Sequence, residues 1–532
     1  MGTRSRFLST LLAIFLWTFI AAAQTGRGGV QPSSARDQAA ALQNENVGGP
    51  FNSLCTSATA FGSNLMANCD SILLPHNETA IIVDPKDPNH LAAGSNDTQL
   101  PPNGASGSAR SALGYYTSFD GGRTWLNGAV PAAGFAQAAD PALGFDTLGN
   151  VFIAIVSFDL GLGGKALGGA IQVARSSDGG RTFAAPVTVE QSTSDAIFED
   201  KPYLVVDTNP ASQFVNSVYI TWTRFHFDSL DSYLESPIFF SASRDGGQSW
   251  SAPKEISGSN TAVCTFSGTP LPFDGRCKED QFSSPVVAAD GTIFVAFENE
   301  QAINDGQFRD QYLVVKSTDG GDTWSAPVRA SDIIHDGGND YPINIVGRQT
   351  LSNSQFRVNS AGNLALDASS GALAVVWSDN RNGTAAITNT DIFMARSADR
   401  GSTWSVPTTV SGAAGDQFYP WAAFAPDGTL NISFYDRSYD PANSEYGITL
   451  ARQAPKKKSF ALQRVDTGLS DPNHARWFSG ATGGKTIFLG DYNGLAVGSD
   501  GVAHPFWTDM RRVVAVKGAS GHTEDVFSVA VP

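Results

Sequence analysis

The chain repeats one pattern of apolar and polar positions. An apolar stretch ends in Asp, a Gly-containing turn follows, and a second apolar strand ends in an aromatic or polar cluster. The first copy is Ala80-Ile81-Ile82-Val83-Asp84 with His90-Leu91-Ala92-Ala93-Gly94. The last is Leu495–Gly501 with Ala503-His504-Pro505-Phe506-Trp507. Between them lie Pro141–Asp146 with Asn150–Ile155, Tyr203–Asp207 with Val218–Trp222, Val286–Gly291 with Ile293–Phe297, Leu364–Asp367 with Leu373–Trp377, and Trp421–Gly428 with Leu430–Phe434, which makes seven units. The first five are each followed by an octapeptide of pattern S-x-D-x-G-x-[ST]-[WF]: Ser118–Trp125, Ser176–Phe183, Ser243–Trp250, Ser317–Trp324 and Ser397–Trp404. Each octapeptide sits between two short apolar runs and reads as a hairpin turn. Its Asp (Asp120, Asp178, Asp245, Asp319 or Asp399) can accept backbone N–H bonds within the loop, its Gly supplies a positive φ, and its closing aromatic can pack back between the strands.

Each unit supplies strands A and B of a blade, and the hairpin supplies C and D. Four antiparallel strands at this period predict an all-β β-propeller of seven four-stranded blades, in which radial closure leaves no long exposed edge. The last unit ends after a third strand, Asp525–Val531, so an N-terminal strand must close the ring, and Ser71-Ile72-Leu73-Leu74 is the segment expected to do so. The octapeptide resembles the Asp-box, or BNR repeat, of the sialidase superfamily. The resemblance covers about residues 78–532, and its specific part is the turn alone. In that family the box is a folding device remote from the active site, and the catalytic domains are typically six-bladed, so six blades is the alternative count.

Arg4 and Arg6 precede an apolar run from Phe7 to Ala23 that ends in Ala21-Ala22-Ala23. This predicts a signal peptide over 1–23, in preference to a retained anchor, then a flexible leader over 24–50 and a single propeller domain over 51–532, secreted or periplasmic. Cys55, Cys69, Cys264 and Cys277 form two close pairs, and of three possible connectivities the local ones, 55–69 and 264–277, need the least reorganisation. No zinc-like spacing is present and histidines are scattered, so neither a metal nor a cofactor is expected. The net charge of −16 argues against nucleic acid and anionic membrane surfaces as partners. The expected state is a monomer that meets a glycan or another extracellular ligand.

In a propeller whose strands run outward from the axis, the turns with the boxes share one face. The D–A and B–C loops share the other, which we call the upper face. Strand B is followed by Trp377-Ser378-Asp379-Asn380-Arg381, Tyr435-Asp436-Arg437 and Trp507-Thr508-Asp509-Met510-Arg511, with related versions at Trp222-Thr223-Arg224 and Phe297-Glu298-Asn299. Strand A is preceded by acidic residues: Asp140, Glu199-Asp200, Glu279-Asp280, Asp416 and Asp491. Sialidases hold the substrate carboxylate with three arginines and use a Tyr activated by a Glu as nucleophile, with an Asp as acid/base. Placement on the expected upper face selects Tyr492, Glu279 and Asp140 as the candidates for these catalytic roles, and Arg224, Arg357, Arg381, Arg437, Arg511 and Tyr419 as candidate substrate-binding residues, with the family's triad not mapped residue by residue. The Arg-Ile-Pro motif that supplies the family's first arginine is missing, since the first unit opens Asn77-Glu78-Thr79. The repeated Trp-x-Asp-x-Arg is equally readable as a clamp between strands and blades. Three functions follow: a glycoside hydrolase acting on sialic acid or related glycans, a catalytically silent propeller that binds glycan or protein, and a propeller with other chemistry such as a lyase.

Overall fold

The computed structural model describes residues 55–69, 75–99, 110–131, 134–160, 166–230, 232–265, 274–302, 308–345, 347–476, 484–516 and 519–532. The expected signal peptide, leader and Ser71–Leu74 strand lie outside them. The strands sort into seven antiparallel sheets, each ordered A-B-C-D, plus one small hairpin, Val513–Val516 with Ala519–His522. Blade 1 is His76–Val83, Leu91–Gln99, Arg110–Ser118 and Trp125–Ala129. Blade 2 is Gln137–Phe145, Val151–Leu160, Ala166–Ser176 and Val187–Gln191. Blade 3 is Ile197–Val206, Val218–Phe227, Ile238–Ser243 and Lys254–Glu255. Blade 4 is Asp280–Val287, Ile293–Ala302, Phe308–Ser317 and Val328–Ile333. Blade 5 is Leu364–Leu366, Leu373–Asp379, Asp391–Ser397 and Thr408–Thr409. Blade 6 is Gln417–Phe424, Leu430–Asp436, Gly447–Gln453 and Ala461–Arg464. Blade 7 is Gly494–Val497, Ala503–Asp509 and Asp525–Ser528, with Asn64–Met66 as its fourth strand. Each A strand packs on the A strands of both neighbours, the seventh on the first, which makes the protein a seven-bladed β-propeller.

The ring is sealed twice at its seam. Asn64–Met66 pairs with the third strand of blade 7 in the register Leu65↔Ser528 and Met66↔Phe527. Thr59–Phe61 adds outside it, while Cys55–Ser57 crosses to blade 1 and pairs Ser57↔Trp125. The closing strand thus lies a few residues before the segment expected from the apolar pattern. Asn64–Met66 is only three residues long, so the pattern along the chain hides it, whereas its side chains fit: Asn64 donates to Val465 O at 2.8 Å. Cys264 and Cys277 form a disulfide, and Cys69 is also disulfide-bonded. The side chain of its expected partner, Cys55, lies outside the described residues.

The core is distributed between the blades. Separate buried clusters fill successive gaps, for example Leu113 and Tyr115 of blade 1 against Leu143, Phe145 and Ile153 of blade 2. The octapeptide turns fix the outer hairpins. In the first, Asp120 Oδ1 accepts from Thr124 N at 2.9 Å and Oδ2 from Thr124 Oγ1 at 2.7 Å, while Gly122 N donates to Ser118 Oγ at 2.8 Å. The same set recurs at Asp178, Asp245, Asp319 and Asp399. Each of the first three blades is also stitched to the turn of the next: His90 donates to Gly179 O (2.8 Å), Arg175 to Gly246 O (3.3 Å) and Arg244 to Gly320 O (2.9 Å). A ring assembled this way carries its upper-face loops on rigid walls.

Candidate active site at the propeller axis

Five of the A strands carry the same irregularity at their upper ends. Their pairing with strand B slips between Asn77 and Ala80, Ala139 and Ala142, Asp200 and Tyr203, Gln281 and Ser284, and Phe418 and Trp421. Within each slip one non-glycine residue takes a left-handed backbone: Glu78 (φ 56°), Asp140 (60°), Lys201 (49°), Phe282 (54°) and Tyr419 (51°). Such conformations cost about 1–3 kcal/mol each and concentrate at functional sites. Here they present charged and aromatic side chains where the blades converge. Residues of non-adjacent blades touch at the axis: Tyr203 of blade 3 meets Trp421 of blade 6 (ring centroids 5.6 Å), and Lys201 Nζ lies 3.6 Å from the Tyr492 ring centroid of blade 7.

Above the Tyr203–Trp421 contact sits a buried charged cluster. Arg357, in the run leading to blade 5, makes a two-point pair with Asp491, Nε to Oδ1 at 2.8 Å and Nη2 to Oδ2. Its Nη2 is 4.0 Å from Glu78 Oε1, and its guanidinium stacks 4.3 Å from the Phe488 ring centroid. Tyr419 donates its hydroxyl to Arg357 O at 2.7 Å and so fixes the backbone of that run. Asn96 joins blades 1 and 2: its amide donates to Glu78 Oε2 at 2.5 Å and its carbonyl accepts from Asp140 N at 2.8 Å.

The carboxyls of Glu78 and Asp140 face each other as an acid pair. Burial, and then the neighbouring Asp140, raise Glu78 well above its ordinary value, which favours a proton held in a hydrogen bond between the two carboxyls. Burial pushes Asp140 to about 7 although that hydrogen bond pulls it back. Burial, and after it the acidic neighbour Glu78, lift Asp200 to about 8. Burial, Glu78 and Asp140 raise the Tyr492 phenol, which therefore stays protonated, and its hydroxyl has no hydrogen-bond partner. Asp200 Oδ1 also lacks one. Burying polar atoms without partners is costly, so these atoms mark positions built for a ligand or water. Beside the cluster, Glu298 of blade 4 lies close to the His335–Asp310 pair (2.7 Å).

The structure thus brings together Tyr492, Asp140, Arg357 and Tyr419 from the expected set. Glu279 is elsewhere, between blades 3 and 4, where it accepts from Tyr233 Oη at 2.5 Å and burial raises it to about 9. Arg224 is bound to Glu199 (2.6 Å) and Glu190 (2.8 Å), and Arg381 to Asp379 (Nε–Oδ1, 2.8 Å). Arg511 is bound to Asp509 (2.6 Å) and to Asn64 of the closing strand (3.0 Å). Arg437, fully buried, donates to Ser352 O and Asn443 O and lies 3.5 Å from Asp416. The repeated Trp-x-Asp-x-Arg is one clamp in which both ends grip the central carboxylate, as Trp377 Nε1 does to Asp379 (2.9 Å) and Trp507 Nε1 to Asp509 (2.8 Å). In blade 3 Glu199 replaces the central Asp and receives Trp222 Nε1 at 2.6 Å together with Arg224. The axial residues absent from the sequence-based set are Glu78, Asp200, Lys201 and Asp491. Their signal was a position at the upper end of strand A or just before it, and residue type alone does not separate that position from its neighbours.

No protein-family model matches the chain, and no curated protein matches it by sequence. Among solved structures, the chain is similar to the Hadza microbial sialidase Hz136 at 12% identity over 90% of this chain and 95% of that one, TM-score 0.43. It is similar to the α-L-arabinofuranosidase Arb93A from Fusarium graminearum at 12% identity over 75% and 95%, TM-score 0.42. The NanB sialidase from Streptococcus pneumoniae gives 9% identity over 91% and 98%, TM-score 0.42.

Proposed function

We propose that this propeller is a glycoside hydrolase whose active site is the axial cluster, exported through the predicted signal peptide. The observation that carries the reading is the Glu78–Asp140 acid pair beside an unpartnered Tyr492 hydroxyl and Asp200, on strained backbone contributed by separate blades. Glycoside hydrolysis needs a proton donor for the leaving oxygen and a second group that activates water or attacks the sugar. The acid pair holds a proton near neutral pH, where a general acid works best, and Asp140 or Asp200 serves as the second group once ionised. Tyr492 acts first as a hydrogen-bond donor to the substrate. A nucleophilic role requires a carboxylate to take its proton in the same step, and the acid pair is the neighbour able to do so. The Asp-box resemblance supports a glycan as the substrate class, and the Cys264–Cys277 disulfide supports an oxidising compartment.

Turnover of a panel of fluorogenic glycosides by the native protein and by Asp140→Asn and Tyr492→Phe tests the reading. The expected result is activity that falls by at least about a hundredfold in Asp140→Asn with an unchanged Tm. Glycan binding without turnover would place the chain among the silent binding propellers. Full activity in both folded variants would remove the axis as the site.

A further inference from the structure

We propose that the axial site takes an uncharged glycan and discriminates against carboxylated sugars, with Asp491 as the residue that sets this preference; the inference rests on the glycan reading above. A sugar carboxylate is recognised by guanidinium forks whose donors are available to it. At this upper face five forks are engaged within the protein. Arg224, Arg381 and Arg511 are each paired with carboxylates of their own clamps, and Arg437 is buried against Asp416 and backbone carbonyls. Arg357 reaches the axis, yet it spends Nε and Nη2 on Asp491. Arg348 is lowered to about 9 by burial and by the Arg357 charge, and Asp491 offsets only part of this. Lys201, the remaining axial cation named here, is surrounded by Asp140, Glu78, Asp491 and Asp200. A ligand carboxylate entering this space has to displace an internal carboxylate from its cation or lie beside several of them. Protons on part of the set remove negative charge without adding a cation.

The groups that do remain suit hydroxyls. Tyr492 Oη offers a donor and Asp200 Oδ1 an acceptor, both buried and unpartnered. A hydroxyl satisfies either one without bringing net charge. The Tyr203, Trp421 and Tyr492 rings lie together beneath, and aromatic faces of this kind suit the C–H side of a neutral sugar ring.

The test compares matched pairs on the full mature chain: 4-nitrophenyl glucoside with glucuronide and galactoside with galacturonide. Neutral pentosides and N-acetylneuraminic acid complete the panel, with binding read by calorimetry and turnover by nitrophenol release. The expected result is that neutral sugars are bound or cleaved, and that carboxylated partners are weaker by at least about tenfold. Asp491→Asn, which releases the Arg357 fork, should narrow that ratio or reverse it. Should Asn at 491 prevent folding, the ratio measured on the native chain decides alone. A native protein that prefers glucuronide, galacturonide or N-acetylneuraminic acid overturns the inference and leaves the glycan reading standing. Failure to bind either kind removes the glycan reading and this inference with it.

Discussion

Asp245 lies on the surface, yet it organises its turn by accepting from Gln248 N (3.0 Å), Ser249 N (2.9 Å) and Ser249 Oγ (2.5 Å). Asp245→Ala is expected to lower Tm modestly, by the equivalent of about 1 kcal/mol, because water replaces part of what is lost. Trp125, the aromatic of the first turn, is 1% exposed and packs against Phe506 of blade 7. Its replacement by Ala should cost about 3–5 kcal/mol in chemical denaturation. Equal and negligible effects from both variants would show that these turns do not anchor the blades. Arg437→Ala should be at least as damaging, about 3–5 kcal/mol, since it removes the cation facing buried Asp416 and the donor to Ser352 O and Asn443 O. An Arg437→Ala protein with native Tm and impaired ligand binding would instead return this residue to the binding surface. At this scale the box residues were readable, because one Asp and one Gly at fixed spacing dictate the turn. The roles of the arginines were not: Asp379–Arg381 and Asp509–Arg511 look alike whether they face a ligand or each other, and only the close clamp distances separate the two cases.

Among elements, the A strands combine the best and the least legible features of the chain. Their apolar cores announce seven blades, and the Asp that ends many of them marks the lower turn. The bulge above them was invisible, because nothing about Glu78, Lys201 or Tyr419 as residue types favours a left-handed backbone. That bulge puts Glu78 into the axis although its sequence context looks like an ordinary strand start. The seam is the other element that sequence located only in part. An N-terminal strand was required by the three-stranded last blade, but the short Asn64–Met66 lacks the apolar run that would have singled it out. Deleting residues 24–50 should therefore leave Tm and solubility intact. Extending the deletion through Asn68 should uncover the Asp525–Ser528 edge, with loss of cooperative unfolding and onset of aggregation measured by light scattering. A soluble, cooperatively unfolding protein without residues 24–68 would show that the seam does not need this strand.

Taken whole, the molecule places its exposed and buried carboxyls in opposite regimes. Hydrogen bonds within the turns hold the box carboxylates low, with Asp245 and Asp319 at about 2, so their contribution persists above the ordinary Asp range and is lost only as pH falls through about 2. Burial does the reverse for Asp200, Glu298, Glu300 and Glu524, each raised to about 8, and for Glu279, raised to about 9. Between their unfolded values near 4 and these folded values the native state binds more protons, so stability falls as pH rises. His504, lowered to about 4 by burial, opposes this as a single group below pH 6.5. Tm is expected to be higher at pH 5 than at pH 8.5, and a Tm that climbs across this range would contradict the buried acid network. The seam adds a constraint in time. Asn68 donates to Asp525 across 457 positions of chain (2.9 Å). At roughly 5–20 residues per second a ribosome delivers that partner roughly 20–90 s after Asn68 itself. For that interval Asn64–Met66 has only its hairpin neighbour Thr59–Phe61 to pair with, and its other edge waits until the last residues arrive.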